Sequence, residues 1–533
     1  QLLDGPMFAG LAGVPAATPP ASSNSTRQHP NIVFVLVDDS GFNDVGYTNA
    51  DASGRPADWK IRTPRIDALA AVSVRLSSYY VQPICTPTRA ALMTGRYPFR
   101  YGVNGFTIDA NAPWGIPANE SFLPEYLKTV GYTTAVFGKW HLGFFKQAML
   151  PSRRGFDHQS GLYNAKGDHF EHTIDGGYDW HVNEVTRVEY AGNYSGELVR
   201  DDAVAFIKSA PWPFFLYLPF QEAHSPYQAP AAYRALYPQL EATPEKQNLA
   251  GMLSHNDAMV GDVVDALNAT GALAASVVVF SADNGAPGGQ EGVPTPSRFD
   301  AHIIDRNWPY RGQKHELYEG GVRVAGFVYS PLLPPTAPVG GALPSLFHVT
   351  DWLPTLLSAA GLSPATTLPH HAPLDGIDMW ACLGGDSTRC GRREVLLNFN
   401  TVCDDGGGGW PRPYATECPA PKAALRVGDL KLLAECYAPT PAPGAFRGKL
   451  ELYNLTADPS ESANLAAALP DAVASLRARL LAYGAQATQI PPLSDAPPWQ
   501  GAGYYCAHCT TGRPKGAAGA WDPWCDGDAG VAC

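Results

Sequence analysis

The amino-acid sequence predicts an α/β protein: a large domain with a mostly parallel central sheet flanked by helices, plus a smaller C-terminal α+β domain with a short sheet and one helix. Three observations carry this. From Asn31 onward, short β-branched apolar runs alternate with helical patterns, the texture of strand–helix–strand units. Several of those runs are continuously apolar, as in strands covered on both faces. After about Gly385 the texture changes to shorter strand-like pieces followed by one amphipathic helix. A chain of 533 residues also exceeds what a single core ordinarily organises.

In chain order, residues 1–28 are rich in Ala, Pro, Ser and Thr, lack periodicity, and read as a disordered leader. Residues 29–385 read as the large domain. Its first strand, Ile32–Val37, ends in Asp38-Asp39. Cys85-Thr86-Pro87-Thr88-Arg89 opens a short helical pattern. Thr133–Phe137 runs into Gly138-Lys139-Trp140-His141; if that strand continues, Lys139 and His141 point to one side. Phe214–Leu218 leads to His224, and Val277–Phe280 ends in Ser281-Ala282-Asp283-Asn284-Gly285. Tyr310-Arg311-Gly312-Gln313-Lys314 follows in a loop. Residues 386–490 read as the smaller domain, with strands Glu394–Phe399, Ala424–Leu433 and Lys449–Tyr453. Its helix, Asp471–Tyr483, places Val473, Leu476, Leu480 and Leu481 on one face. Residues 491–533 read as a cysteine-rich extension in which Cys506, Cys509, Cys525 and Cys533 form disulfides, since so much Gly and Pro builds little core.

Composition narrows the class. A hydrophobic fraction of 45% with 17% charged residues describes a folded, soluble chain. A net charge of −12 argues against nucleic acid as a partner. No apolar run approaches the roughly 18 residues of a transmembrane segment. The chain begins with Gln1 rather than Met, as a processed product does. Asn24, Asn119, Asn193, Asn268 and Asn454 stand in glycosylation sequons; with ten cysteines they favour the secretory pathway, ending outside the cell or in a lysosome-like compartment. Nine cysteines lie between Cys382 and Cys533, an odd number that leaves at least one without an intrachain partner.

The strand ends carry the chemistry. Acidic pairs at the carboxyl ends of buried strands sit where open α/β sheets bind ligands. Crowded carboxylates repel unless a cation neutralises them. Asp38, Asp39, Asp283 and Asn284 form an all-oxygen set suited to Ca²⁺ or Mg²⁺ and poorly suited to zinc. The competing reading is that each pair caps a following helix. Cys85 alone could be a buried structural thiol, His141 and His224 structural histidines, and Lys314 an ordinary loop lysine. Asp168, His169, Glu171 and His172 read as a substrate-lining loop rather than a second metal site. Cys506-Ala507-His508-Cys509 reads as disulfide-forming rather than zinc-binding. His370-His371 and Gly406–Gly409 read as plain loops.

The run Cys85–Arg89 with Thr94-Gly95-Arg96 resembles the signature of the type I sulfatases, the formylglycine-dependent family. Asp38-Asp39, Gly138–His141, Asp283-Asn284 and Arg311–Lys314 follow in that family's order. Asn307–Pro331 and Thr350–Leu356 resemble the arylsulfatase B branch, the N-acetylgalactosamine-4-sulfatases. Leu452–Leu455 with Asp458-Pro459 resembles the family's carboxy-terminal domain, so the likeness spans roughly residues 30–490. It implies an alkaline-phosphatase-like fold and sulfate ester hydrolysis. It further implies that a formylglycine-generating enzyme oxidises Cys85 to formylglycine, whose hydrated aldehyde attacks sulfur and then expels sulfate. By the same resemblance, Asp38, Asp39, Asp283, Asn284 and an oxygen of modified Cys85 bind one Ca²⁺ or Mg²⁺. Arg89 holds the diol, Lys139 and Lys314 grip sulfate oxygens, His224 protonates the leaving alcohol, and His141 orients or deprotonates the remaining hydroxyl. The expected substrate is a sulfated small molecule or saccharide, with Trp59, Trp114, Tyr163, Asp168, His169 and Trp308 as loop positions able to touch a sugar. A phosphonate monoester or phosphodiester hydrolase of the same superfamily, or a catalytically silent secreted anion-binding protein, are the alternatives.

Overall fold

Four largely apolar runs and one short polar one, His158–Gly161, become the parallel heart of a ten-stranded sheet. They are Asn31–Val37 (β1), Thr133–Phe137 (β2), His158–Gly161 (β3), Phe214–Pro219 (β4) and Ser276–Ala282 (β5), in the order β5-β1-β4-β2-β3. In this computed structural model the described residues are 29–48, 61–103, 107–110, 112, 114–288, 306–363, 372–399, 423–438, 445–486, 519, 520 and 523. Every residue of β1, β4 and β5 is buried, which explains why none shows a polar alternate face. Gly326–Tyr329 joins β5 antiparallel and Val74–Leu76 continues that edge; His181–Val182 and Val185–Thr186 close the other.

Helices pack on this sheet. Cys85–Thr94 (α1) is buried at all ten positions and stops at Gly95, which takes the left-handed φ of 66° that a helix end favours. Ser195–Ser209 (α2) lies against the 26-residue Pro244–Ala269 (α3). The smaller domain is an antiparallel sheet of Glu394–Phe399 (β6), Ala423–Val427 (β7), Leu430–Ala438 (β8) and Ala445–Asn454 (β9). Its helix, Pro470–Gly484 (α4), sets Leu476 on Leu432 and Leu452, and Leu480 near Phe399 and Leu425. The expected strand 424–433 is two strands: Val427 pairs with Leu430 across a two-residue turn where Gly428 has φ 56°.

Cys382 and Cys390 form a disulfide, and Cys85 is free and buried. Gly519 and Ala520 touch the large domain: Tyr178 N–H donates to Gly519 O at 3.1 Å, and Ala520 is buried. Asn119, Asn193 and Asn268 are exposed and Asn454 half-buried. Residues 1–28 with Asn24, Trp59, His370-His371, Gly406–Gly409, Cys506, Cys509, Cys525 and Cys533 lie outside the described residues.

Candidate active site

The site forms where β1 and β5 end side by side. Val37 pairs with Ala282, so Asp38 and Asp283 leave the sheet as neighbours, and Asp39 N–H donates to Asp283 Oδ1 at 3.1 Å. No helix begins directly after either acidic pair, so neither pair is a cap. Asp38, Asp39, Cys85 and Asp283 place ligand atoms within 4.8 Å of one another; Asp39, Cys85 and His224 form an overlapping group. Among the described residues these are the side-chain groupings able to hold a metal.

Cys85 begins α1, and Arg89, four residues on, lies on the same helix face. Cys85 Sγ is 3.6 Å from Asp38 Oδ1, while Arg89 donates to Asp283 Oδ2 at 2.8 Å and to Lys139 O at 3.1 Å. Burial pushes the Cys85 thiol up to about 12, although Lys139 and Lys314 pull it back. Left as a thiol, it stays protonated and is a weak nucleophile.

Lys139 Nζ donates to Asp38 Oδ2 at 2.6 Å with both side chains fully buried. The reason differs from the expected continuing strand. β2 stops at Phe137, Gly138 turns with φ 127°, and His141 has φ 55°. A Cβ at Gly138 would fall 2.1 Å from Pro219 O, so only glycine lets the chain cross β4 there. Lys314 Nζ lies 2.7 and 2.8 Å from the two oxygens of Asp39. Although burial alone pushes it up, Lys314, His224 and Lys139 hold the Asp39 carboxyl well below the usual range. Asp283 goes the other way, up to about 6, through burial and the charge of Asp38.

His224 Nδ1 donates to Ser225 O at 2.8 Å, which leaves Nε2 3.6 Å from Asp39 Oδ2. Burial, then Lys314, holds its pKa far down, so the resting ring is neutral. His141 is also held far down, by burial and then Lys139 and Arg89, and neither ring nitrogen has a hydrogen-bond partner. A buried imidazole with both nitrogens uncommitted is costly unless something else meets it.

The donor set fits a hard cation. Asn284 Nδ2 donates to Asp39 Oδ1 at 2.8 Å, whereas its Oδ1 is buried without a partner beside three carboxylates. Three carboxylates face three cations, Arg89, Lys139 and Lys314, so adding a divalent ion leaves the pocket positive enough to draw in an anion.

Some supports carry no sequence signature. Arg306 donates to Asp39 O at 2.7 Å and grips Asp44, both side chains being fully buried. Glu222 bonds His255 at 2.9 Å while its backbone carbonyl accepts from Asp38 N–H at 3.0 Å, tying α3 to the Asp38 turn. Of the loop positions expected to meet a sugar, Tyr163 does not: it is buried, stacked 3.9 Å from the His181 ring. Trp114 is half-buried against the core, and Trp308 is 39% exposed two residues from Arg306. In the 168–172 loop, Asp168 accepts from Phe170 N, Glu171 N and Gln228; His172 bonds Tyr190 O. His169 contacts Ser195 Oγ and the backbone carbonyl of His224, so this loop backs the site.

The model of the Sulfatase family matches residues 30–362, well over half of the chain. The chain belongs to the sulfatase family. This sulfatase is 33% identical to arylsulfatase J of Mus musculus, over 95% of this chain and 82% of that protein. It is 32% identical to the N-acetylgalactosamine-6-sulfatase of Sus scrofa, over 66% of this chain and 65% of that one. Among solved structures it resembles the PsFucS1 sulfatase from Pseudoalteromonas sp., with a TM-score of 0.65 and 26% identity, covering 87% of this chain and 92% of that chain. The large mostly parallel sheet with a smaller antiparallel domain is accordingly the alkaline-phosphatase-like sulfatase fold.

Proposed function

We propose that this sulfatase hydrolyses sulfate esters of a carbohydrate through a formylglycine made from Cys85, with one Ca²⁺ or Mg²⁺ held by Asp38, Asp39, Asp283 and Asn284. The observation that carries the reading is the convergence of Cys85 with Lys139, Lys314, His224 and the uncommitted His141 on three buried carboxylates. When bound, the cation supplies Lewis-acid stabilisation of charge on the nucleophile and the sulfuryl oxygens.

The chain's own residues do the rest. Lys139 and Lys314, aimed from opposite carboxylates, take sulfuryl oxygens as point charges and hold sulfur in front of residue 85. Arg89 keeps Asp38 and Asp283 compensated and braces the first turn of α1. His224, with Nδ1 committed to Ser225 O, presents Nε2 as the atom that passes a proton to the leaving alcohol. His141, neutral and buried, accepts a proton from residue 85 as sulfate departs.

A carbohydrate substrate is supported by the name of the porcine relative, an N-acetylgalactosamine-6-sulfatase, and by the exposed Trp308 beside the braced Arg306. An N-acetylgalactosamine 4- or 6-sulfate is the first candidate, a sulfated galactan the second. Exposed sequons at Asn119, Asn193 and Asn268 and the Cys382–Cys390 disulfide support passage through the secretory pathway, where a formylglycine-generating enzyme acts on Cys85; no described helix is long and apolar enough to cross a membrane. Sulfate release is to be measured across a sulfated-saccharide panel beside p-nitrophenyl sulfate and p-nitrophenyl phosphate. At least one saccharide is expected to exceed the aryl sulfate in kcat/KM. Preference for the phosphate ester would assign the site to phosphoryl transfer, and no turnover of any ester would make it an anion binder.

A further inference from the structure

We infer that the smaller domain sets the position of Lys314, with Glu461 and Ser460 as positioning residues; this rests on reading Lys314 as a sulfate-gripping group. Lys314 stands at the crown of the loop 309–319. The crown is tied to the large domain, where Lys314 N–H donates to Ala286 O at 3.1 Å and His315 N–H to Pro83 O at 2.8 Å. Both limbs are held by the smaller domain. On the incoming limb, Ser460 Oγ donates to Pro309 O at 2.8 Å. Arg311 donates to Glu461 O at 3.0 Å and to Tyr453 Oη at 3.2 Å, its guanidinium lying 3.9 Å over the Tyr318 ring.

On the outgoing limb, Tyr318 Oη donates to Glu451 Oε2 at 3.1 Å, and Glu319 N–H to Glu461 Oε2 at 2.6 Å. Lys431 Nζ on β8 then lies 3.0 Å from Glu319 Oε1 and 2.9 Å from Glu461 Oε1. Glu319, Lys431 and Glu461 are all fully buried, and Glu461 holds a left-handed φ of 53°. Buried charges of this kind add little stability over an apolar replacement but penalise any other register. The limbs also lock to each other: Gly320 N–H donates to Arg311 O at 2.7 Å, and a Cβ there would fall 2.3 Å from Gly312 O. A displacement of residues 460–461 therefore has to move Pro309, Arg311 and Glu319 together. The Lys314 ammonium moves with them relative to Asp39 and to the sulfate.

The test is a double-mutant cycle on the full chain, with Ser460→Ala and Glu461→Gln each made with and without Lys314→Ala. Readouts are kcat, KM and the inhibition constant for inorganic sulfate. Each single change is expected to lower kcat/KM about three- to thirtyfold and to weaken sulfate inhibition in the Lys314 background, with no further effect beyond about twofold once Lys314 is Ala. Ser460→Ala removes one half-buried hydroxyl and no charge, and keeps the test valid should Glu461→Gln fold poorly. Equal losses in both backgrounds would overturn the inference, because the effect would then pass through the fold at large. So would unchanged kinetics in Ser460→Ala and a folded Glu461→Gln. An unimpaired Lys314→Ala enzyme would sink the reading of Lys314 itself, and the positioning role with it.

Discussion

Lys139→Met isolates the charge at the centre of the site, since methionine nearly conserves the volume of the lysine stem. Lys139 Nζ is 2.6 Å from Asp38 Oδ2, and both groups are fully buried. At that distance an effective dielectric of about 20 gives roughly 6 kcal/mol of gross attraction. Removing one member of such a buried pair costs about 3–5 kcal/mol, because the other is left without compensation. Arg89, 3.6 Å from Asp38 and 2.8 Å from Asp283, is shared between the two carboxylates and offsets only part of this, which places the expected cost at the lower end of that range. The cost should depend on the cation: with Ca²⁺ on the carboxylates Asp38 remains compensated, and after chelation it does not. Thermal unfolding of parent and variant, each with excess Ca²⁺ and with chelator, is expected to show a large loss of melting temperature only in the chelated pair. Turnover of the Ca²⁺-loaded variant should fall about 10²–10³-fold, the scale for losing one preorganised group that meets transition-state charge. Equal melting losses with and without Ca²⁺, or activity within threefold of the parent, would refute the assignment of Asp38 to the metal and Lys139 to the sulfate.

Three other outcomes follow from the same geometry. Mass spectrometry of active protein should find Cys85 with sulfur and two hydrogens replaced by one oxygen, and Cys85→Ala should stay folded yet inactive; an alkylatable thiol in fully active enzyme contradicts this. Elemental analysis should find one Ca²⁺ or Mg²⁺ per chain, lost in Asp283→Asn with a lower melting temperature, whereas stoichiometric zinc contradicts the oxygen set. Burial holds His172 down at about 4, below its unfolded value, so the unfolded chain binds more protons between them. Its contribution to stability is full above about pH 6.5 and declines as pH falls toward 4. His172→Gln should flatten that part of the stability profile, and an unchanged slope would show that His172 is not its source.

What the sequence determined by itself was set by local periodicity and short spacing. Continuous apolar runs marked β1, β4 and β5, because strands buried on both faces have no polar alternate positions. Cys85 and Arg89 share a helix face through their four-residue spacing, and Asp38-Asp39 and Asp283-Asn284 stood out because carboxylates at buried strand ends need a cation. The hairpin at Gly428-Asp429 was also readable, against the single expected strand 424–433: a Gly-Asp pair between two strand-like runs is a two-residue turn signal, and the φ of 56° at Gly428 is what it supplies. Only the tertiary structure decided which charges are buried and with whom. Arg306 reaches Asp44 and Asp39 from more than 260 positions away, and Glu222 meets His255 on another element. Lys431 becomes the shared counterion of Glu319 and Glu461. Lys139 and His141 reach the site through a glycine turn after β2 has ended. A lysine or arginine reads the same in sequence whether it is solvated or sealed inside a pair. Its energy depends on desolvation and partner distance, and both are properties of the folded chain alone.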